Sequence, residues 1–244
     1  WTDSVIWPSK DKMPMGVSPL DILEKSKQPK GMSKLHTNSI TGKNIGIAII
    51  DQRLNLEHPE YKDRLKHYEV VGDWPNDNKT SPDMHGSLVS GLSVGKTCGT
   101  APGADLYYFA ANNWPVPNQH NLKLEMGHRL FDMMAIRRIL EINKTLPENK
   151  KIRFLSCSWG QKNDMYTKEC EELFTECEKH GIMVIGGSYK IKPIIKCDSR
   201  YPIKQYTSIE ERKLAPQPIG IPTDGKTSPF YLGGYKYTRQ GGNS

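Results

Sequence analysis

The sequence predicts an α/β domain built on a mostly parallel sheet with helices on both faces. Four apolar runs of strand length are rich in β-branched residues and show no apolar–polar alternation, as strands buried on both faces require. Helical patterns lie between these runs, so strand and helix alternate along the chain. At 244 residues the chain is long enough to bury one large core.

Residues 1–40 are polar, proline-punctuated and weakly patterned, and read as an arm packed on a main domain spanning 41–244. Within the arm, "SPLDILEKSK" suits a short helix with Ser18 as cap and Pro19 at its first position. "NIGIAIID" is the first strand and ends at Asp51. His85 to Val94 is small and apolar, a buried helix, and "ADLYYFAA" (104–111) is the second strand. Met126, Leu130, Met133, Ile136 and Leu140 recur at steps of three and four, one face of a helix. "KIRFLSCSWG" (151–160) follows as a strand. Tyr166, Cys170, Leu173 and Cys177 mark another helix that Gly181 would stop. "GIMVIGGS" (181–188) is the fourth strand, and the tail from Ile191, rich in Pro and Lys, reads as irregular.

Composition narrows the function classes. No apolar run is long enough for a membrane span, and no charged segment followed by an apolar stretch marks a signal peptide. The net charge of +7 favours acidic partners, but the basic residues are dispersed and not interleaved with aromatics, which argues against nucleic acid. The five cysteines form no CxxC pair, and Cys170 and Cys177 stand two helical turns apart, about 10 Å; free, buried thiols are expected. "GDWPNDNKTSPD" (72–83) is acidic and could touch calcium, but its spacing matches no EF-hand, and no cofactor is expected. "SGLSVGKT" (90–97) approaches a phosphate-binding loop but has Ser90 where glycine is needed, and a helical pattern precedes it instead of a strand.

Three residues are candidates for chemistry. Asp51 closes an apolar strand, where sites of open α/β sheets gather. His85 opens a helix, whose dipole disfavours the imidazolium while a nearby carboxylate favours it. Ser244 follows Gly-Gly-Asn. Singly, each has an ordinary structural role: a turn residue, a surface histidine and a flexible end.

Together they resemble a known family. "GKNIGIAIIDQRLNLEHPEY" is similar to the aspartate signature of the subtilisin-like serine proteases, the subtilases, and "HGSLVSGLSVGKTCGTAPGADLYYFAA" to their histidine signature. "FLSCSWG" resembles the family's substrate-binding strand, "GIMVIGGS" the strand leading to its oxyanion asparagine, and "GGNS" the start of its serine signature. The resemblance implies a subtilisin-like fold and peptide-bond hydrolysis, with Asp51 orienting the ring of His85, His85 as general base and Ser244 as nucleophile. It also implies that Ser158, Trp159 and Gly160 line the substrate cleft and pair with peptide backbone. Peptide or protein substrates are the implied partners, with a propeptide or inhibitor as further partners.

The sequence departs from the family in several places. Asp51-Gln52-Arg53 stands for Asp-Thr/Ser-Gly, Leu88 stands for a second histidine, and Ser188-Tyr189 occupies the place of the oxyanion asparagine, which leaves Ser188 as the oxyanion candidate. The chain ends at Ser244 and so reads as a fragment cut at the nucleophile, inactive or barely active as it stands. These departures support one rival reading, a catalytically impaired homologue that acts as a binding or signalling protein. The retained Asp51 and His85 oppose it.

Overall fold

The computed structural model describes residues 9–16, 18, 21, 24–27, 32–72, 82–111, 122–158, 167–186, 194–197, 219–222 and 224–240. After helix α1 (Ser33–Thr37) come strands β1 (Gly46–Asp51) and β2 (Leu65–Val71), helix α2 (Met84–Val94) and strand β3 (Asp105–Ala111). Helix α3 (Leu122–Thr145), strand β4 (Ile152–Cys157), helix α4 (Thr167–Lys179) and strand β5 (Met183–Gly186) follow. Four short strands close the series: β6 (Ile194–Cys197), β7 (Ile219–Pro222), β8 (Asp224–Pro229) and β9 (Tyr235–Gln240).

Strands β1 to β5 form one sheet in the order β2-β3-β1-β4-β5, with every pair parallel. The unbroken apolar runs are explained by burial on both faces. Alternate residues of β1 and β3 divide between two cores, as a period of two demands. Ala48, Ile50, Tyr107 and Phe109 meet Met133, Ile136 and Ile139 of α3 and Phe174 and Cys177 of α4. Ile49, Leu106, Tyr108 and Ala110 meet Val89 and Val94 of α2 on the opposite face. This is the doubly wound α/β arrangement expected from the sequence. The chain passes outward from β1 to β2, returns to β3, then crosses to β4 on the far side of β1. The carboxyl end of β1 therefore lies at the point where strand order reverses, the usual place for a site in such a sheet.

Some sequence expectations are corrected. Leu130 is 41% exposed and does not belong to the buried face of α3, whose stripe is Met133, Ile136, Ile139 and Leu140. Phe131, the next residue, packs on the core in its stead, in the space left by the missing side chain of Gly72. The side chains of Met126 and Tyr166 lie outside the described residues. Strand β2 was hidden because Lys66, His67 and Glu69 break its apolar pattern. It is an edge strand, where polar residues are tolerated, and Glu69 is held by His67 at 3.0 Å and by Arg138 Nε at 3.0 Å. Gly181 does stop its helix, at φ +71°. In the arm, Ser18 Oγ accepts the Asp21 N–H at 3.1 Å, the contact expected of a cap, and Pro19 lies outside the described residues. Cys98, Cys157, Cys170 and Cys177 are buried thiols with no disulfide among the described residues.

The largest correction concerns the tail, which contains β6 to β9 and is not irregular throughout. Strands β8 and β9 form an antiparallel hairpin whose turn passes through Gly233 and Gly234 at φ +105° and +73°, a region glycine enters freely. The hairpin docks on α2, where Pro229 fills the space above Gly91. It also docks on the segment after β1. Asn55 Nδ2 donates to the Tyr231 carbonyl and His58 Nε2 donates to the Gly234 carbonyl, both at 2.9 Å. The Tyr235 hydroxyl donates to Glu60 Oε1 at 2.5 Å. His58 and Glu60 flank Pro59 in the segment between β1 and β2.

Glu60 is 3% exposed, yet its carboxylate is satisfied. Besides Tyr235, it accepts from the Thr97 amide at 2.8 Å and the Thr97 hydroxyl at 2.5 Å. Burial alone would raise its pKa; the hydrogen bonds from Thr97, Tyr235 and Cys98 outweigh that and hold it below the ordinary carboxylate value. One carboxylate thus ties the loop after β1, the loop after α2 and the hairpin together.

Gln at position 60 would turn an N–H₂ group toward these donors. Glu60→Gln is expected to cost about 2–4 kcal/mol, a fall of roughly 5–12 °C in Tm near neutral pH by calorimetry. Because the folded-state pKa is lowered, this stabilisation is complete above the ordinary carboxylate range and is lost as pH falls through the folded value. The gap between wild type and Glu60→Gln should therefore narrow in acid.

Candidate active site

Asp51 is the last residue of β1 and shares the strand face of Ile49, the face covered by α2. Its position is set on both sides of the strand: β3 pairs with it through Ala110, and Cys157 of β4 lies opposite Ile50. Asp51 is 5% exposed, so its carboxylate needs donors close by. It has them. Oδ1 accepts the Gln52 amide at 2.8 Å. His85 Nδ1 lies 2.8 Å from Oδ1 and 2.9 Å from Oδ2, nearly equidistant from the two oxygens.

An ionised carboxylate can only accept, so the proton belongs on Nδ1 and the neutral ring presents a lone pair at Nε2. The His85 side chain is 34% exposed, against 5% for Asp51. One edge of the ring therefore faces a buried charge and the remainder can be reached from outside. The hydrogen bond that His85 donates to Asp51 raises the His85 pKa, burial pulls it down, and the charge of Asp51 adds to the rise; the net shift is upward. The carboxylate thus decides the balance that the sequence left open between helix dipole and acid.

The start of α2 is fastened to the end of β1 by more than this contact. The Asp83 amide donates to the Arg53 carbonyl at 2.9 Å. The His85 amide donates to Gln52 Oε1 at 3.3 Å. The Tyr108 hydroxyl, from β3, donates to the Gln52 carbonyl. Gly86 is required by the same packing, since a Cβ there would stand 2.6 Å from the Gln52 carbonyl oxygen and nearer still to the Tyr108 hydroxyl. Among these residues Gln52 stood out in the sequence only as a departure from the expected motif, and Tyr108 only as part of an apolar strand.

Of the other residues singled out, Ser158 follows β4, and its hydroxyl is buried with no hydrogen-bond partner among the described residues. Cys157, beside it, is held as a neutral thiol by full burial and then by neighbouring acids and thiols, Asp132 foremost. Trp159, Gly160, Ser188 and Ser244 lie outside the described residues, as does most of the acidic 72–83 loop. Among the described residues no group of three or more His, Cys, Asp or Glu side chains could hold a metal ion, and no helix is long and apolar enough to cross a membrane.

The model of the subtilase family matches residues 42–188, a span that contains β1 to β5, Asp51 and His85. The subtilisin-like protease PopC of Myxococcus xanthus is 31% identical over 85 residues, 32% of this chain and 18% of its own length. The match thus spans under a fifth of that relative. Among solved structures, the prenylagaramide maturation protease PagA has a TM-score of 0.59 at 15% identity, covering 86% of this chain and 74% of its own. Sphericase has a TM-score of 0.59 at 17% identity, covering 87% of this chain and 78% of its own. The S41 psychrophilic protease also has a TM-score of 0.59, at 18% identity and the same coverages as sphericase. At these identities the structural likeness establishes the fold, which is subtilisin-like. With the family model matching more than half of its length, including both halves of the Asp51–His85 contact, the chain belongs to the subtilase family.

Proposed function

We propose that this chain is the catalytic part of a serine endopeptidase in which Asp51, His85 and Ser244 act as a triad. The observation that carries this reading is the placement of His85 Nδ1 at 2.8 and 2.9 Å from the Asp51 oxygens, at the reversal point of the sheet. A serine hydroxyl is a poor nucleophile until a base takes its proton. In the proposed cycle His85 Nε2 removes the proton of the Ser244 hydroxyl as its oxygen attacks the scissile carbonyl carbon. The resulting imidazolium is stabilised by Asp51, which keeps Nδ1 protonated and the ring correctly turned. The same imidazolium then protonates the leaving amine as the C–N bond breaks. Water repeats the sequence to release the acyl group and regenerate the serine.

Ser158, Trp159 and Gly160, which follow β4 in the sequence, would pair with the backbone of a peptide substrate. Ser188, two residues beyond the end of β5, is the proposed donor to the oxyanion. The hairpin supports the role of Ser244. It rests on α2, the helix whose first turn carries His85, and β9 ends at Gln240, four positions before the serine.

In the full-length protein a fluorophosphonate probe should label Ser244, and His85→Ala should lower the labelling rate by at least about 10³-fold. Folded protein that takes up no probe would favour the binding or signalling reading over catalysis.

The pH profile gives a second check. Only neutral His85 can accept a proton. Its raised pKa keeps the ring protonated over a wider range, so labelling should climb with pH and reach half-maximum above the ordinary imidazole value of about 6.5. Asp51→Asn removes the cause of the rise. It should shift the midpoint down and lower the plateau rate by about 10⁴-fold, because the ring then loses its tautomer control. An unshifted midpoint would remove Asp51 from the mechanism.

A further inference from the structure

The first amides of a helix have no acceptor within it and must find one elsewhere. In α2 the residue at the cap position, Asp83, is extended at φ −98° and ψ 161° but makes no side-chain capping bond. The His85 amide is instead accepted by Gln52 Oε1, a side chain from the opposite element, at 3.3 Å. Gln52 is only 9% exposed. Its own amide donates to Asp51 Oδ1 at 2.8 Å, and its carbonyl accepts the Tyr108 hydroxyl, so its backbone is pinned to the sheet. One residue therefore touches both members of the dyad, the carboxylate through its N–H and the histidine backbone through its amide oxygen.

We propose that Gln52 is a positioning residue that sets the separation and angle between the Asp51 carboxylate and the His85 ring. A serine or threonine hydroxyl in its place would be two bonds shorter than the glutamine oxygen. The glutamine that departs from the family pattern thus supplies, from the strand side, the cap that Asp83 does not supply from the helix side. The catalytic consequence rests on the reading of His85 as general base. A base displaced by about 1 Å from its partners loses on the order of 10²-fold in rate.

Gln52→Met keeps the length and loses the acceptor, whereas Gln52→Glu keeps an acceptor and adds a charge. Three measurements on the full chain decide the matter: hydrogen exchange at the His85 amide, NMR titration of the His85 ring, and the rate of fluorophosphonate labelling. In Gln52→Met the His85 amide should exchange at least about tenfold faster, while the amides of β1 and β3 stay protected. The ring midpoint should fall toward the ordinary imidazole value and labelling should slow by about 10–100-fold. In Gln52→Glu amide protection should return, and the ring midpoint should rise above that of the wild type, because a second carboxylate then stands near it.

Gln52→Met with unchanged amide protection and an unchanged ring midpoint overturns the proposal, whatever happens to labelling. If Gln52→Met does not fold, the Gln52→Glu arm decides: an unmoved His85 midpoint overturns the proposal and a raised one supports it. Wild-type protein that binds no probe contradicts the triad, whereas the exchange and titration arms still judge Gln52 separately.

Discussion

The hydrogen bond between the Asp51 carboxylate and His85 Nδ1 is the constraint on which the site depends, because each partner makes sense only through the other. A carboxylate that is 5% exposed is costly without donors. A histidine at a helix start is pushed toward its neutral form by the dipole. Their contact satisfies the first and reverses the second. It also joins the end of one strand to the beginning of one helix, so the sheet and the layer above it must be in register for the site to exist.

That register is produced by burial. Strand β1 lies between β3 and β4 with helices over both faces, and its side chains divide between two apolar cores. A slip of one residue would exchange the two faces and carry Asp51 away from α2. The hydrophobic pattern of β1 is thus also a positioning device for its last residue. Around it, polar contacts secure what apolar packing leaves loose: Gln52 at the histidine amide, Tyr108 at the Gln52 carbonyl, and Glu60 beside the turn of the hairpin. Such groups are tolerated in the interior only when nearly every lone pair and proton is used, and the donors gathered around Glu60 meet that condition.

Much of this could be read from the chain. The four apolar strands, the small-residue helix after His85 and the helix stop at Gly181 follow from local pattern, and so does the placement of Asp51 at a strand end. The pattern failed where local composition and tertiary environment disagree. Strand β2 carries Lys66, His67 and Glu69 because it is an edge, and nothing nearby in sequence says so. Leu130 fits the helical period of α3 but faces outward, and Phe131 takes the inner place. The β8–β9 hairpin was hidden in a stretch rich in lysine and proline, although its Gly-Gly turn was a visible signal.

What the sequence determined by itself is the alternation of strands and helices, the two buried faces of the sheet, and the residue types able to do acid–base chemistry. These follow from periodicity and from neighbours a few positions apart, which act before any long-range contact exists. Which polar groups meet was decided by the tertiary structure alone. Gln52 reaches His85 across 33 positions, Tyr108 reaches Gln52 across 56, and Tyr235 reaches Glu60 across 175. A hydrogen bond depends on distances of a few tenths of an ångström, and separations that large are set only once the sheet order and the packing of α2 and the hairpin are complete.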